Sequence, residues 1–292
     1  MAARLNHVAS MSDNPRFVGI AYETLFGMWF DEEASSPRYG EVLRDGNVTF
    51  NIHPRMPGQR LGLDHFGIEV DDLPATLGKL KSSYPKSGVI ERPESCPFPG
   101  VLTHDPAGSI FALSEKGSDL FPMPAERSVP INYGKWCEGD PALRYLHHYA
   151  IRTTRHSECV AFYEDMFGFK AKSGKSGDKA TYLNAGQITL MLIPWSIHDY
   201  EGIAVTNRGP DHIGFKVPDA VQMKQEILDF DSHYSPGQQP IWLLTKVNHE
   251  NPETQIRDER LTNACPVSRY NFTDKDGVYV IVGDQTFLDV LD

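Results

Sequence analysis

His148-Tyr-Ala-Ile, followed by Ala161-Phe-Tyr-Glu-Asp-Met-Phe-Gly-Phe169, decides the fold, because it occurs twice. His7-Val-Ala leads in the same way to Tyr22-Glu-Thr-Leu-Phe-Gly27, and His7 to His148 and Tyr22 to Tyr163 are both displaced by 141 positions. A second pair follows in each half: Asp64-His65-Phe-Gly-Ile-Glu-Val-Asp71 against Asp211-His212-Ile-Gly-Phe-Lys-Val-Pro218-Asp219. A third sets Asp105-Pro-Ala-Gly108 against Asp274-Lys-Asp-Gly277. Matches in one order in both halves define an internal repeat, which must be read before any single element.

Each repeat unit reads alike. A short alternating strand starts at the histidine. A helix follows, at Pro15 to Phe26 or Glu158 to Phe167, and stops at Gly27 or Gly168. In the second and fourth units, Asp71-Asp72-Leu-Pro74 and Pro218-Asp219 are cap and first-turn residues. Extended segments such as Gly46–Ile52 and Gly186–Leu192 come next. The Asp-x-x-Gly turns then lead into a last strand. The fold class is therefore α+β, with four βαβββ units. The boundaries fall at 1–116 for an N-terminal domain, 117–143 for a Pro- and Gly-rich linker, and 144–292 for a C-terminal domain carrying an insertion at 231–260. A long insertion of this kind reads as a lid or as a surface elaboration.

The chain of 292 residues suits two domains, and its formal charge of −11 gives it no attraction to nucleic acid or to an anionic membrane. No apolar run reaches the length of a membrane span, and the segment MAARLNHVASM lacks the apolar core of a signal peptide. Cys96, Cys137, Cys159 and Cys265 form no CxxC pair, which reads as reduced thiols in a cytoplasmic protein. Homo-oligomerisation stays open. No phosphate-binding glycine loop and no serine nucleophile elbow is present.

The histidine-led strand, the Phe-Tyr-x-x-x-Phe-Gly helix and the last strand after Asp-x-x-Gly resemble the vicinal oxygen chelate superfamily over nearly the whole chain. That superfamily includes glyoxalase I, bleomycin and fosfomycin resistance proteins, and type I extradiol dioxygenases. The resemblance implies that paired units join their sheets into an open cup, and four units imply two cups. It also implies metal ligands at the first-strand histidines, here His7, His65, His148 and His212, and at a glutamate four residues past the turn glycine. That second position is Ala112 in one half and Ile281 in the other, with Asn51 and Met191 at the matching places of the odd units. None is a carboxylate. Glu115 and Asp284 lie three residues further on, on the opposite strand face unless a bulge intervenes.

The resemblance points to an extradiol-dioxygenase-like enzyme acting on a small aromatic or carbonyl-containing substrate in the C-terminal cup. His148 and His212 would hold a divalent metal, Fe²⁺ or Mn²⁺, and Asp284 is one candidate third ligand. Two alternatives keep the same fold: a metal-free acid–base enzyme using His148 or His212, and a non-catalytic small-molecule binding protein. Period-two counting puts Arg152 on the face of His148 and Lys216 on that of His212, where they would grip an anionic substrate or simply reach solvent. Tyr270 and Phe272 share a strand face, lining the cup or filling the core. His147 points away from His148 by the same counting. His249-Glu250 is an isolated dipeptide in the insertion.

Overall fold

The computed structural model describes residues 3–92, 100–118, 144–175, 177–186, 188–196, 208–243 and 265–291. The first unit is β1 (Ala3–Ser12), α1 (Pro15–Phe26), β2 (Trp29–Phe30), β3 (Glu41–Arg44) and β4 (Thr49–Pro54). The second is β5 (Gly62–Val70), α2 (Leu73–Ser83), β6 (Ile90–Glu91), β7 (Val101–His104) and β8 (Ile110–Glu115). The third is β9 (Tyr145–Thr153), α3 (His156–Phe167), β10 (Lys170–Ser173), β11 (Thr181–Asn184) and β12 (Thr189–Pro194). The fourth is β13 (Gly209–Lys216), α4 (Ala220–Asp231), β14 (Ile241–Leu243), β15 (Tyr270–Asp274) and β16 (Tyr279–Gly283), followed by the short α5 (Phe287–Val290).

Local chemistry sets the helix ends. Gly27 and Gly168 close α1 and α3 in the left-handed region, at φ 65° and 70°, where a Cβ would be strained. The Asp72 carboxylate accepts from Ala75 N, and that of Asp219 from Val221 N and Gln222 N, so both cap otherwise unpaired amides.

The described strands form two eight-stranded sheets, ordered β2-β3-β4-β1-β5-β8-β7-β6 and β10-β11-β12-β9-β13-β16-β15-β14. In the first, β1 and β5 run antiparallel at the centre, and each pairs in parallel with the last strand of its own unit. The second repeats the arrangement with β9 and β13.

The two sheets share one apolar core. Phe26 of α1 packs 4.1 Å from Phe215 and 5.7 Å from Phe272, ring centre to ring centre. Phe66 lies 5.1 Å from Tyr149. The helix-bearing faces thus pack on each other, and the histidines occupy the other faces. Two reciprocal buried hydrogen bonds cross this core. Tyr22 Oη donates to Asp274 Oδ2 at 2.9 Å, and Tyr163 Oη donates to Asp105 Oδ2 at 3.2 Å. Each aspartate also holds its own turn, since Oδ1 accepts from the amides of Ala107 and Ser109, or of Asp276 and Val278. Arg144 adds a buried pair with Glu226 and donates to Leu25 O at 2.8 Å.

Residues 119–143 of the expected linker, and His249-Glu250, lie outside the described residues. So does 244–260 of the expected insertion. The start of that insertion is ordinary fold: β14 pairs with β15 as β6 pairs with β7, so Ile241–Leu243 is the unit's own edge strand. Among the described residues, no helix is long and apolar enough to cross a membrane.

Candidate metal centre in the C-terminal cup

His148 on β9 and His212 on β13 face each other with ring centres 5.2 Å apart and planes at 88°. Their approach depends on Gly214. A Cβ there would lie 1.9 Å from His148 Cε1, so the ring of His148 rests on bare backbone. The same holds for Gly67 beneath His7. The glycine of the repeated Asp-His-x-Gly motif is therefore the seat for the opposite histidine.

Each imidazole is oriented from behind. Asp211 Oδ2 accepts from His212 Nδ1 at 2.6 Å, and Asp211 Oδ1 accepts from Arg152 Nε at 2.5 Å. Burial alone would raise the Asp211 carboxyl, but Arg152 and His212 outweigh it and hold it at about 2. The arrangement fixes His212 as the Nδ1–H tautomer and leaves Nε2 buried with no hydrogen-bond partner. Carboxylates that orient an imidazole in this way stand behind metal-bound histidines generally. His147 Nδ1 lies 3.3 Å from His148 Nδ1. A register shift between Gly214 and Phe215 brings His147 beside its neighbour, where strict alternation would turn it away. Burial, with His212 and His147 adding, keeps His148 well below the ordinary imidazole range and therefore neutral.

The third member of the cluster is Cys265. His148, His212 and Cys265 offer donor atoms that all lie within 4.8 Å of one another, with Cys265 Sγ 3.8 Å from His148 Nε2. Burial pushes the thiol up to about 12, so it is protonated at neutral pH. Ile281 takes the place where the resemblance implies a glutamate. It pairs with Gly214 on one side and Asn271 on the other and is 1% exposed. Ala150, Met191, Tyr182, Ile281 and Phe287 make the apolar lining. Phe287 of α5 covers the site, 4.8 Å from the ring of His147 and 5.1 Å from that of His148. A cavity of about 260 Å³ lies beside it, lined among others by His147, Lys170, Lys172, Tyr182 and Phe287.

Several expected site residues stand elsewhere. Asp284 follows the end of β16 and pairs with Arg269 at 2.9 Å, away from the two histidines. Gly283 makes no bulge, since β13 and β16 stay in register through Lys216 and Gly283. Tyr270 and Phe272 face the shared core, because Asn271 between them pairs with Ile281 and takes the cup side. Arg152 Nε donates to Asp211 behind His212, and the residue also lines a cavity of about 310 Å³ with Thr153 and Arg208. The charge of Lys216 acts on His147 and on Asp289 of α5. Cys265 had a sequence signal of its own: Cys96-Pro97 and Cys265-Pro266 stand at the same distance ahead of the Asp105 and Asp274 turns. Cys96 lies outside the described residues.

The fold built by these sheets is the vicinal oxygen chelate fold in its two-domain, four-module form. The chain is similar to the Mn(II)-bound glyoxalase of Novosphingobium aromaticivorans, at 14% identity and a TM-score of 0.61 over 96% of this chain and 82% of that one. It is similar to homoprotocatechuate 2,3-dioxygenase of Arthrobacter globiformis, at 13% identity and 0.61 over 97% and 79%. A third is 2,2',3-trihydroxybiphenyl 1,2-dioxygenase of Sphingomonas wittichii strain RW1, at 14% identity and 0.58 over 97% and 90%. No protein-family model matches the sequence, and no curated protein does.

Proposed function

We propose that this chain is an extradiol-dioxygenase-like enzyme acting on a small aromatic or carbonyl-containing substrate in the C-terminal cup. A divalent metal would be held by His148, His212 and Cys265. The observation that carries this reading is the buried Nε2 of His212, oriented by Asp211 and left without a partner beside His148 and Cys265. When bound, the ion would supply Lewis-acid polarisation of substrate oxygens. The thiolate would contribute the negative charge that Ile281 does not. Its softness favours Fe²⁺ over Mn²⁺ and also suits Zn²⁺.

The remaining residues set the conditions for chemistry. Asp211 holds the tautomer of His212. His148 stays neutral by burial and so keeps its lone pair. Ile281, Met191 and Phe287 exclude water, and the lysines at the neighbouring cavity favour an anionic substrate. A cytoplasmic setting agrees with Cys159 and Cys265 standing as free buried thiols.

The test is elemental analysis of the purified protein, with oxygen-uptake assays on catechols, for wild type and Cys265→Ala. Bound metal and turnover lost together in the variant support the reading. Turnover that persists after complete metal removal sinks it. That second outcome would favour a metal-free acid–base enzyme, a reading to which the apolar Ile281 lends weight.

A further inference from the structure

The two halves meet at two junctions that the internal repeat makes equivalent, and the junctions differ. At one, the Asp276 carboxylate of the second half accepts from the Ser12 hydroxyl and the Asp13 amide of the first. Gly62 lies close by, where a Cβ would stand 3.4 Å from Asp276 O. Direct contact closes that junction. At the other, Arg152, Thr153, Thr154 and Arg208 of the second half meet the turn 107–110 of the first around a cavity of about 310 Å³. This volume is at the lower end of the range for small-molecule sites, roughly 300–1,000 Å³. The cavity shares no lining residue with the one beside the His148 cluster.

The exchanges between the junctions run in one direction. The repeat sets Met11 against Arg152, Asp13 against Thr154, Leu61 against Arg208 and Asp276 against Ala107. Two carboxylates give way to a hydroxyl and a methyl group, and two apolar side chains give way to guanidinium groups. Arg152 is 9% exposed and gives only Nε to Asp211, so its terminal nitrogens make no hydrogen bond among the described residues. A guanidinium held this far from bulk water needs an acceptor for those nitrogens. Arg208 is exposed and makes no ion pair among the described residues. The one carboxylate on the lining, Asp64, already accepts from His65 Nδ1.

We propose that this open junction is a binding site for a small oxyanion, a carboxylate or a phosphate, held between Arg208 and the terminal nitrogens of Arg152. Guanidinium groups suit paired oxygens of either kind. The site stands independently of any metal in the C-terminal cup.

The test is isothermal titration calorimetry on the full chain at constant ionic strength, with inorganic phosphate and with succinate as probes. At least one probe should bind once per chain. Arg208→Leu installs the residue of the closed junction, and Ala107→Asp restores its carboxylate. Each should weaken binding about tenfold or more, as loss of a charged hydrogen bond or gain of a like charge does. Arg60→Leu removes the same charge outside the cavity and should leave the affinity unchanged. Binding of phosphate alone supports the site and makes its ligand a phosphate, and binding of succinate alone supports it and makes the ligand a carboxylate. Binding that ignores both Arg208→Leu and Ala107→Asp overturns the site. Equal weakening by Arg60→Leu, or no binding of either probe at millimolar concentration, overturns it too.

Discussion

Ile281 and His148 stand two strands apart on one face of the second sheet, both paired with Gly214. The side chain at 281 therefore points at the cluster from the position where a carboxylate would complete it. Ile281→Glu should destabilise the metal-free protein by a few kcal/mol, because an unpaired carboxyl enters an apolar lining. With excess Fe²⁺ or Zn²⁺ the variant should gain more in melting temperature than the wild type. At about a hundredfold excess over Kd, the linkage contribution is about 2.7 kcal/mol. Melting curves with and without metal check this. Equal metal-induced shifts for both proteins would place the metal elsewhere.

Asp211 pairs with both His212 and Arg152, and only the contact with His212 orients a proposed ligand, so its effect separates orientation from ligation. Asp211→Asn should weaken metal binding by roughly 10- to 100-fold, the usual effect of losing a group behind a ligand. Competition with a chelator of known affinity measures the change. An unchanged affinity would mean that the carboxylate serves only Arg152.

Phe287 closes the C-terminal cup over His148, and the thiol of Cys265 is 2% exposed. Phe287→Ala should make Cys265 react at least tenfold faster with a small thiol reagent, followed by peptide mass mapping. Added metal should suppress the labelling in both proteins. Equal rates without metal would show that α5 is no barrier to entry.

The N-terminal histidines give the metal-free protein a defined acid limit. Burial, with His65 and Arg92 adding, lowers His53 to about 4. An unfolded histidine takes up its proton near 6.5. Between these values the unfolded chain binds more protons, so stability falls as pH drops from about 6.5 to 4. Each such histidine contributes at most about 1.4 kcal/mol per pH unit. His53→Asn should flatten that slope in urea titrations at pH 4–7 and leave it unchanged above pH 7.

The repeat made the architecture readable. Helix ends at Gly27 and Gly168 and caps at Asp72 and Asp219 follow from local backbone chemistry, which acts over a few residues. The facing of His148 and His212 was legible through the two matched strand starts. What strict alternation misplaced was His147, because a bulge breaks the period of two and leaves no mark in composition. Tyr270 and Phe272 were a question of parity, decided by a register that only strand pairing defines. Cys265 precedes β15 on a loop, where no periodicity assigns a direction. The role of Asp211 lay in plain view beside His212, but a neighbour in sequence becomes a hydrogen-bond partner only once the strand is placed.

Tyr22 reaches the turn aspartate of the second half, and Tyr163 reaches that of the first. Each half thus lends the other the same group and borrows the same group back, the relation between subunits of an isologous twofold dimer. Here the dimer is written into a single polypeptide. Two identical chains would have to carry the same cup twice, since any change in one copy appears in both. Joined in one chain, the contact surfaces stay reciprocal while the cups are free to differ, as Asn51 against Met191 and Ala112 against Ile281 already do.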